Sequence, residues 1–271
     1  MKIQEKKHYL KRVSDEVLRL KKYSGNSVTF TDALSMLRYS YGHLGECELM
    51  LDNDLVAAKQ SFYKAARVIE LMFENWQGKC HYPQKSVPYL ASSSYLTASY
   101  LILSDNAPYF KQFFETVQYY ANENGGDPKD QNYFTQLALA FKEFAKGDYE
   151  KAIPYLNHSL KPILLKMAQY TTGYETVLLG IIHKNQGQIE EGIERNLKYH
   201  VRIKHDRCIF PEFSLEATAM TKLAYMYGFK IDVKSPYIHQ GLIAHDSTIV
   251  YEDIVEVFEA LDYKKPWWKL F

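Results

Sequence analysis

The stretch FKEFAKGDYEKAIPYLNHSL, residues 141–160, decides the fold of this chain. Apolar side chains recur at helical spacing before the glycine and resume at helical spacing from Tyr149 onward. Gly147 can adopt the left-handed conformation that ends a helix, and the Asp148 carboxylate can cap the helix that follows. The small Ala152 would let the two backbones approach closely. The stretch therefore predicts a helical hairpin.

Related patterns occur elsewhere in the chain, at Asp54 to Ala58 and at Ile189 to Ile193. A hairpin of this kind cannot bury its apolar face alone and implies stacked neighbours. The interval from Tyr149 to Ile189 is longer than the 34 residues or so of a tetratricopeptide repeat, and the fixed residues of that consensus are absent. No long stretch alternates with period two. We expect an all-α fold of stacked antiparallel hairpins, a solenoid that is tetratricopeptide-like in shape only.

The helical spacing also predicts boundaries along the chain. The first helix is expected to place Leu10, Val13, Val17 and Leu20 on one face. Thr31 or Asp32 is expected to cap the second helix, and residues 52–54 to form the turn after it. Residues 186–188 are predicted to be a turn, residues 213–227 a helix, and the last helix to carry Val250 and Ile254. We expect one helical domain over residues 1–271, with a candidate seam between halves near 122–130.

The composition favours a helical binding protein that is not surrounded by a strong electrostatic field. The net charge is +1, so the whole chain does not attract nucleic acid or a membrane surface. The 23 tyrosines suit grooves and interfaces as well as the seams between helices. Cys47, Cys80 and Cys208 lack CxxC spacing and are expected to be reduced. Without an apolar run of about eighteen residues or a signal-like start, we expect a cytoplasmic protein.

Catalytic motifs are absent from the sequence. It has no HExxH, P-loop, GxSxG, EF-hand or dinucleotide fingerprint. The adjacent Cys80 and His81 are poorly placed for a thiolate–imidazole pair, because successive side chains usually point apart. His200 and His205 are five residues apart, which disfavours joint metal ligation from one helix. We therefore expect no enzyme activity, no metal and no cofactor; an all-helical enzyme with scattered histidines is the least favoured alternative.

Residues 195–207 are basic and include a tyrosine and two histidines. Such a segment could hold phosphates, or its cations could simply complement a helix C-terminus. Acidic residues follow directly, and mixed charge suits a protein partner better than a polyanion. We take seven residues as candidate partner-binding residues: Tyr199, Arg202, His205, Arg207, Glu212, Glu216 and Tyr237. For Tyr237 we favour the alternative, in which its ring plugs a seam behind the turn at Pro236, over direct contact with a partner.

The second half of the chain resembles the immunity protein 49 family, the helical antidotes of bacterial polymorphic toxin systems. The resemblance is carried by the helix of residues 190–204, by LAYMYG at 223–228, and by Ser-Pro-Tyr at 235–237. It departs from the family at His239, where proline is common, and at 242–243, where Leu-Ile replaces a double leucine. Recognisable motifs span residues 190–243, and a looser likeness spans residues 50–245.

The resemblance implies a cytoplasmic immunity protein that binds the C-terminal domain of a cognate toxin and neutralises it. It implies a protein partner and neither nucleic acid nor membrane, and it leaves formation of a homodimer open. The alternative is a tetratricopeptide-like adaptor or peptide-sensing scaffold with the same fold and no toxin partner.

Overall fold

The computed structural model describes residues 2–22, 27–76, 98–116, 133–160 and 173–262. Within these ranges all regular structure is helical and no strand occurs, so the predicted all-α class is confirmed. The helices are α1 Lys2–Lys21, α2 Ser27–Asp52, α3 Leu55–Trp76, α4 98–103 (the part described), α5 Ala107–Thr116, α6 Tyr133–Lys146, α7 Tyr149–Ser159, α8 Tyr174–Ile182, α9 Gln186–Arg207, α10 Leu215–Met226, α11 Gln240–Ile243 and α12 Val255–Asp262.

The chain divides into two compact units. Unit 1 comprises Met1–Leu90 together with Thr248–Phe271, and unit 2 comprises Ala91–Ser247. The candidate seam near 122–130 lies outside the described residues. A regular solenoid stack likewise stays a prediction.

Unit 1 is built on α1, α2, α3 and α12, with α1 packed against both α2 and α12. On α1 the buried stripe contains Tyr9, Val17 and Leu20, which recur at helical spacing. Leu10 is 47% exposed, so its predicted place on the buried face is wrong. Tyr9 fits the stripe instead, because eleven residues, about three full turns, separate it from the fully buried Leu20, whereas Leu10 is turned about 80° away from Leu20.

The start of α2 differs from the prediction. The helix begins at Ser27, so neither Thr31 nor Asp32 caps it. Phe30 is 1% exposed and continues the buried stripe of Leu34 toward the N-terminus. The helix therefore extends a turn earlier than the polar residues suggested, because the extension buries an aromatic ring.

The turn predicted between α2 and α3 is confirmed. Asn53 adopts the left-handed conformation, with φ of 54°. The Asp54 carboxylate accepts a hydrogen bond from the Ala57 backbone N–H at 3.0 Å and so caps α3. The hairpin of α2 and α3 follows from these two residues.

Residues of the C-terminal part of unit 1 bind α3 through polar contacts. Arg67 donates from Nε and Nη2 to the two carboxylate oxygens of Asp253, at 2.9 and 3.2 Å. Gln60 and the backbone of Glu252 exchange hydrogen bonds of 2.6 and 3.0 Å. Val250 and Ile254 both precede α12, which begins at Val255, so their predicted places on that helix are wrong, although Ile254 is fully buried. These polar contacts fix the chain just before α12.

In unit 2, consecutive helices from α5 to α11 pack on one another, and α8 also touches α6 and α10. The hairpin of α6 and α7 is as predicted: Gly147 has φ of 80°, and Ala152 is fully buried. The expected Asp148 cap is wrong, because its side chain makes no cap hydrogen bond in α7. The carboxylate is instead paired with Lys151.

The turn between α8 and α9 lies earlier than residues 186–188. Lys184 takes the left-handed conformation, with φ of 55°, and the Asn185 side chain caps α9 by accepting from Gln188 N at 3.1 Å. An asparagine cap satisfies an N–H of the first turn, and α9 therefore begins at Gln186.

Two glycines permit a close crossing at the start of α8. Gly173 has φ of 134°, and a Cβ at that position would lie 2.4 Å from the carbonyl oxygen of Gly192 on α9. Only glycine fits such a contact. Gly192 occupies in the Ile189 pattern the small-residue position that Ala152 occupies in the α7 hairpin.

A buried ion pair joins the turn after α4 to α10. Lys222 is fully buried and its Nζ lies 2.6 Å from Oδ1 of Asp105, which is itself 5% exposed. Lys222 Nζ also donates to the Leu242 carbonyl at 2.8 Å. Asp105 accepts further hydrogen bonds from the Asp246 backbone N–H at 2.7 Å, and its Oδ1 lies 2.9 Å from His245 Nδ1. The pair therefore holds three separate segments of unit 2 together.

Candidate functional site

An open groove of about 450 Å³ lies between α9 and the irregular segment 231–237 of unit 2. It combines an apolar floor with a charged rim. Its lining residues are Glu194, Leu197, Lys198, Val201, Asp232, Val233, Lys234, Ser235 and Tyr237. We call this surface the α9 groove.

The helical repeat explains which side of α9 faces the groove. Glu194, Lys198 and Val201 follow one another at intervals of four and three residues, which places them on one stripe of the helix. Val201 is 48% exposed, so a large apolar side chain is presented to solvent in the middle of this wall. His205 continues the same stripe and is exposed.

The opposite wall lacks regular structure and is fixed by individual hydrogen bonds. The Asp232 backbone N–H donates to Glu190 Oε1 at 3.1 Å, which ties the segment to α9. The Tyr237 carbonyl accepts from the Ser214 backbone N–H at 2.9 Å, next to the start of α10. The groove is therefore preformed by contacts at both ends of the segment.

Tyr237 is held by two side chains of α9. Its hydroxyl accepts a hydrogen bond from Lys204 Nζ at 2.7 Å, and the same ammonium lies 4.6 Å from the centroid of the ring. The ring of His200 lies 5.0 Å from that of Tyr237. The tyrosine is half-buried, so it both closes the seam with α9 and lines the groove.

The described cations of α9 all have partners within the chain. Arg195 binds Glu175 at 3.1 Å and Glu191 at 2.9 Å. Lys198 lies 3.8 Å from Glu194, and the Arg202 guanidinium lies 4.9 Å from the ring centroid of Tyr199. Arg195 and Lys198 are therefore paired with carboxylates, whereas Arg202 and Lys204 keep their charge beside the neutral rings of Tyr199 and Tyr237.

The pair of Arg195 and Glu175 also anchors α9 to α8. Glu175 is fully buried and accepts from the Tyr133 hydroxyl at 2.7 Å and from the Gly173 backbone N–H at 3.1 Å. Burial raises the pKa of this carboxyl, and the hydrogen bonds and Arg195 oppose the rise. The groove thus stands on a helix whose inner face is fixed by a satisfied polar network.

The residues predicted to bind a partner are spread over this region. Tyr237 lines the groove directly, His205 lies on the groove stripe, and Arg202 is exposed at its edge. Tyr199 is only 8% exposed and lies beneath Arg202.

The remaining predicted residues follow the groove-lining part of α9. Arg207 ends α9, and its side chain is outside the described part of the structure. Glu212 is exposed in the connection to α10, and Glu216 is half-buried in the first turn of α10. Neither glutamate belongs to the lining of the groove.

No protein-family model, no curated protein and no solved structure matches this chain.

Two features are absent from the described ranges. No helix there is both long and apolar enough to cross a bilayer. Nor do three or more His, Cys, Asp or Glu side chains in the described ranges come together in a way that could hold a metal ion.

Sequence reasoning missed one pair of side chains in this region. His200 and Cys208 are eight residues apart, and Cys208 Sγ lies 3.9 Å from His200 Nδ1. His200 Nε2 lies 3.1 Å from the carbonyl oxygen of Pro211. The spacing gave little signal, because residues eight apart lie about 80° apart around a helix and Cys208 follows the last residue of α9. The adjacent Cys80 and His81, which the sequence brought to attention, lie outside the described residues.

Proposed function

We propose that this chain is an immunity protein that seats a cognate bacterial toxin domain on the α9 groove and holds it inactive. One coincidence supports the proposal. Two of the three segments that carry the family resemblance, residues 190–204 and 235–237, supply six of the nine residues that line the groove, and the third, residues 223–228, does not line it. Two stretches that are distant in sequence and that both contain motifs of the family resemblance thus meet at one open surface.

The chemistry of the groove is suited to a protein partner. Leu197, Val201 and Val233 offer an apolar floor, and charges of both signs surround it. Protein interfaces commonly combine an apolar centre with a polar rim. Tyr237 is an aromatic side chain already fixed by Lys204, so little side-chain entropy is lost when a partner packs on it.

Inhibition follows from steric occlusion under this proposal. A preformed groove loses little conformational freedom on binding, which favours a long-lived complex. A toxin domain that is seated with its active-site cleft against the groove could not admit substrate. The immunity protein needs no catalytic group for this task.

The test is to examine the gene beside this one for a large secreted protein and to co-express the C-terminal domain of that protein with this chain; absence of such a gene would favour the adaptor alternative. We expect a complex that co-purifies and cells that survive expression of the toxin domain. Val201→Asp places a charge on the groove floor and should weaken binding at least about tenfold, which corresponds to about 1.4 kcal/mol. Val250→Asp is the matched control, because it makes the same change at an exposed valine of unit 1.

Two further variants test the surface around the groove. Reversing the charges at Arg202 and Arg207 should weaken the complex, and so should reversing those at Glu212 and Glu216, with helicity unchanged. If both double variants protect like the parent, the contact surface does not extend along the end of α9. The proposal itself fails if the neighbouring domain does not bind, or if Val201→Asp protects as fully as Val250→Asp.

A further inference from the structure

The pair formed by His200 and Cys208 has the parts of an activated thiol. A nucleophilic cysteine needs a base within reach and a third group that orients the base. Here the base is an imidazole on α9, the thiol is the first residue after that helix, and the orienting group is a backbone carbonyl. The proposed partner binding uses the His200 ring only as a packing surface for Tyr237 and does not use the thiol.

The tautomer of His200 follows from its contacts. The Pro211 carbonyl oxygen can only accept a hydrogen bond, so the imidazole Nε2, 3.1 Å away, carries the hydrogen. In the neutral ring Nδ1 then holds a lone pair, and Nδ1 is the atom that faces Cys208 Sγ at 3.9 Å. The ring is 4% exposed and lies against Tyr237, so this orientation is fixed by packing.

If the proton moves from Cys208 Sγ to His200 Nδ1, both the thiolate and the imidazolium have hydrogen-bond partners. The imidazolium would donate from Nε2 to the Pro211 carbonyl and from Nδ1 to the thiolate. A buried cation is tolerated when both of its donors are satisfied and an opposite charge lies beside it. The pair therefore has a charged state that the surrounding structure can accommodate.

Cys208 is placed where a small molecule can reach it. It is the first residue after α9 and has an extended conformation, with φ of −100° and ψ of 134°, and the residue is partly exposed. Cys47 is different, because it is fully buried on α2. Burial raises the pKa of the Cys47 thiol to about 12, and Glu46 adds to the rise.

We propose that Cys208 is a site of reversible S-thiolation by low-molecular-weight disulfides, with His200 as the proton acceptor. The Cys208 thiolate attacks one sulfur of the disulfide and forms a new S–S bond to it. The S–S bond of the reagent breaks, and its other half leaves as a thiolate that takes the proton from His200. The cysteine and the reagent exchange a disulfide, so no further oxidant is consumed.

The experiment uses the full chain with Cys80→Ser, so that the thiols compared are Cys47 and Cys208. The protein is incubated with glutathione disulfide at neutral pH, and the adduct is located by mass spectrometry of peptides. We expect Cys208 to react about tenfold faster in the folded chain than in the same chain unfolded in urea, because a neighbouring base raises the thiolate fraction. Dithiothreitol should restore the unmodified mass.

The His200→Gln variant distinguishes activation of the Cys208 thiol by the imidazole from simple exposure of that thiol. The glutamine amide can still donate to the Pro211 carbonyl, but it cannot accept a proton from sulfur. We expect this variant to lose the rate advantage of the folded chain while its circular dichroism stays that of the parent. If His200→Gln does not fold, the comparison of the folded and the unfolded Cys80→Ser chain still tests the proposal, because it needs no change at His200.

Three results would overturn the proposal. The first is a Cys208 that reacts no faster folded than unfolded. The second is a folded His200→Gln variant that reacts at the parental rate. The third is an adduct that forms on Cys47 in preference to Cys208.

Discussion

Breaking the buried pair of Lys222 and Asp105 should destabilise unit 2 by several kilocalories per mole. Removing one partner of a buried ion pair costs about 3–5 kcal/mol, because the other charge stays buried without compensation. In Lys222→Met the Asp105 carboxylate keeps the Asp246 N–H and His245, so we expect the lower end, about 3 kcal/mol. The Leu242 carbonyl also loses the hydrogen bond from Lys222, so the loss of stability should not be much smaller than this.

A double-mutant cycle isolates the pair. Asp105 has φ of 67°, and asparagine also tolerates that left-handed conformation, so Asp105→Asn removes the charge without straining the backbone. We expect each single variant to lose about 3 kcal/mol and the double variant to lose about 2 kcal/mol less than their sum. Lys234→Met is the matched control: its side chain is 92% exposed and lies 3.9 Å from Asp232, so it should change stability by less than about 0.5 kcal/mol.

Hydrogen exchange of the α10 amides is the measurement, because it reports the opening free energy of unit 2 without requiring one cooperative transition for the whole chain. Urea unfolding followed by circular dichroism provides an independent estimate. A loss below about 1 kcal/mol in Lys222→Met would refute the argument from buried charge. Strict additivity in the double variant would show that the two side chains do not stabilise each other.

Three more predictions concern packing and charge elsewhere in the chain. Ala152→Leu should lower the unfolding free energy by about 1–3 kcal/mol through overpacking, and an unchanged urea midpoint would refute the close crossing of α6 and α7. Gly173→Ala should cost about 2 kcal/mol or more, from positive φ and from contact with the Gly192 carbonyl, and a parental melting curve would contradict that contact. For Asp253 burial alone would raise the carboxyl pKa, but the Arg67 hydrogen bonds and the Ile254 N–H outweigh it and leave the pKa below its ordinary range. Because the folded pKa is the lower one, the stability from this group is fully present above a pH of about 4 and is lost as the pH falls through the folded pKa. Asp253→Asn should therefore lower the unfolding free energy by up to about 1 kcal/mol at neutral pH, since the Asp253 side chain is 41% exposed. In acid the difference in stability between the variant and the parent should vanish. A difference that stays constant with pH would exclude the charge as its source.

Elements of the fold that depend on local chemistry could be read from the sequence. Gly147 and Asp54 act through their own backbone and side chain, so the turns they form were predictable from neighbouring residues alone. The boundaries that were wrong depend on distant contacts. The start of α2 is set by burial of Phe30, and the exposure of Leu10 reflects which side of α1 meets α2. Propensity carries no information about such contacts.

The candidate site was predictable only in part for the same reason. Residues 195–207 and Tyr237 were predicted as candidates from the sequence, and in the structure they are in contact through the hydrogen bond from Lys204 to the Tyr237 hydroxyl. The apolar floor was missed, because Val201 and Val233 look like ordinary core residues until the chain is folded. The pairing of His200 with the Pro211 carbonyl depends on the path of the chain after α9, which no spacing rule specifies.

The locally compensated cations of α9 bear on how fast a partner would arrive. Arg195 and Lys198 each lie beside a carboxylate of opposite charge, so little of their electrostatic field extends a Debye length, about 8 Å, into physiological saline. Encounter would then proceed near the unsteered range of about 10⁵–10⁶ M⁻¹s⁻¹ and respond only slightly to ionic strength. Selectivity at such a surface would arise after collision, in how long a well-fitted complex survives.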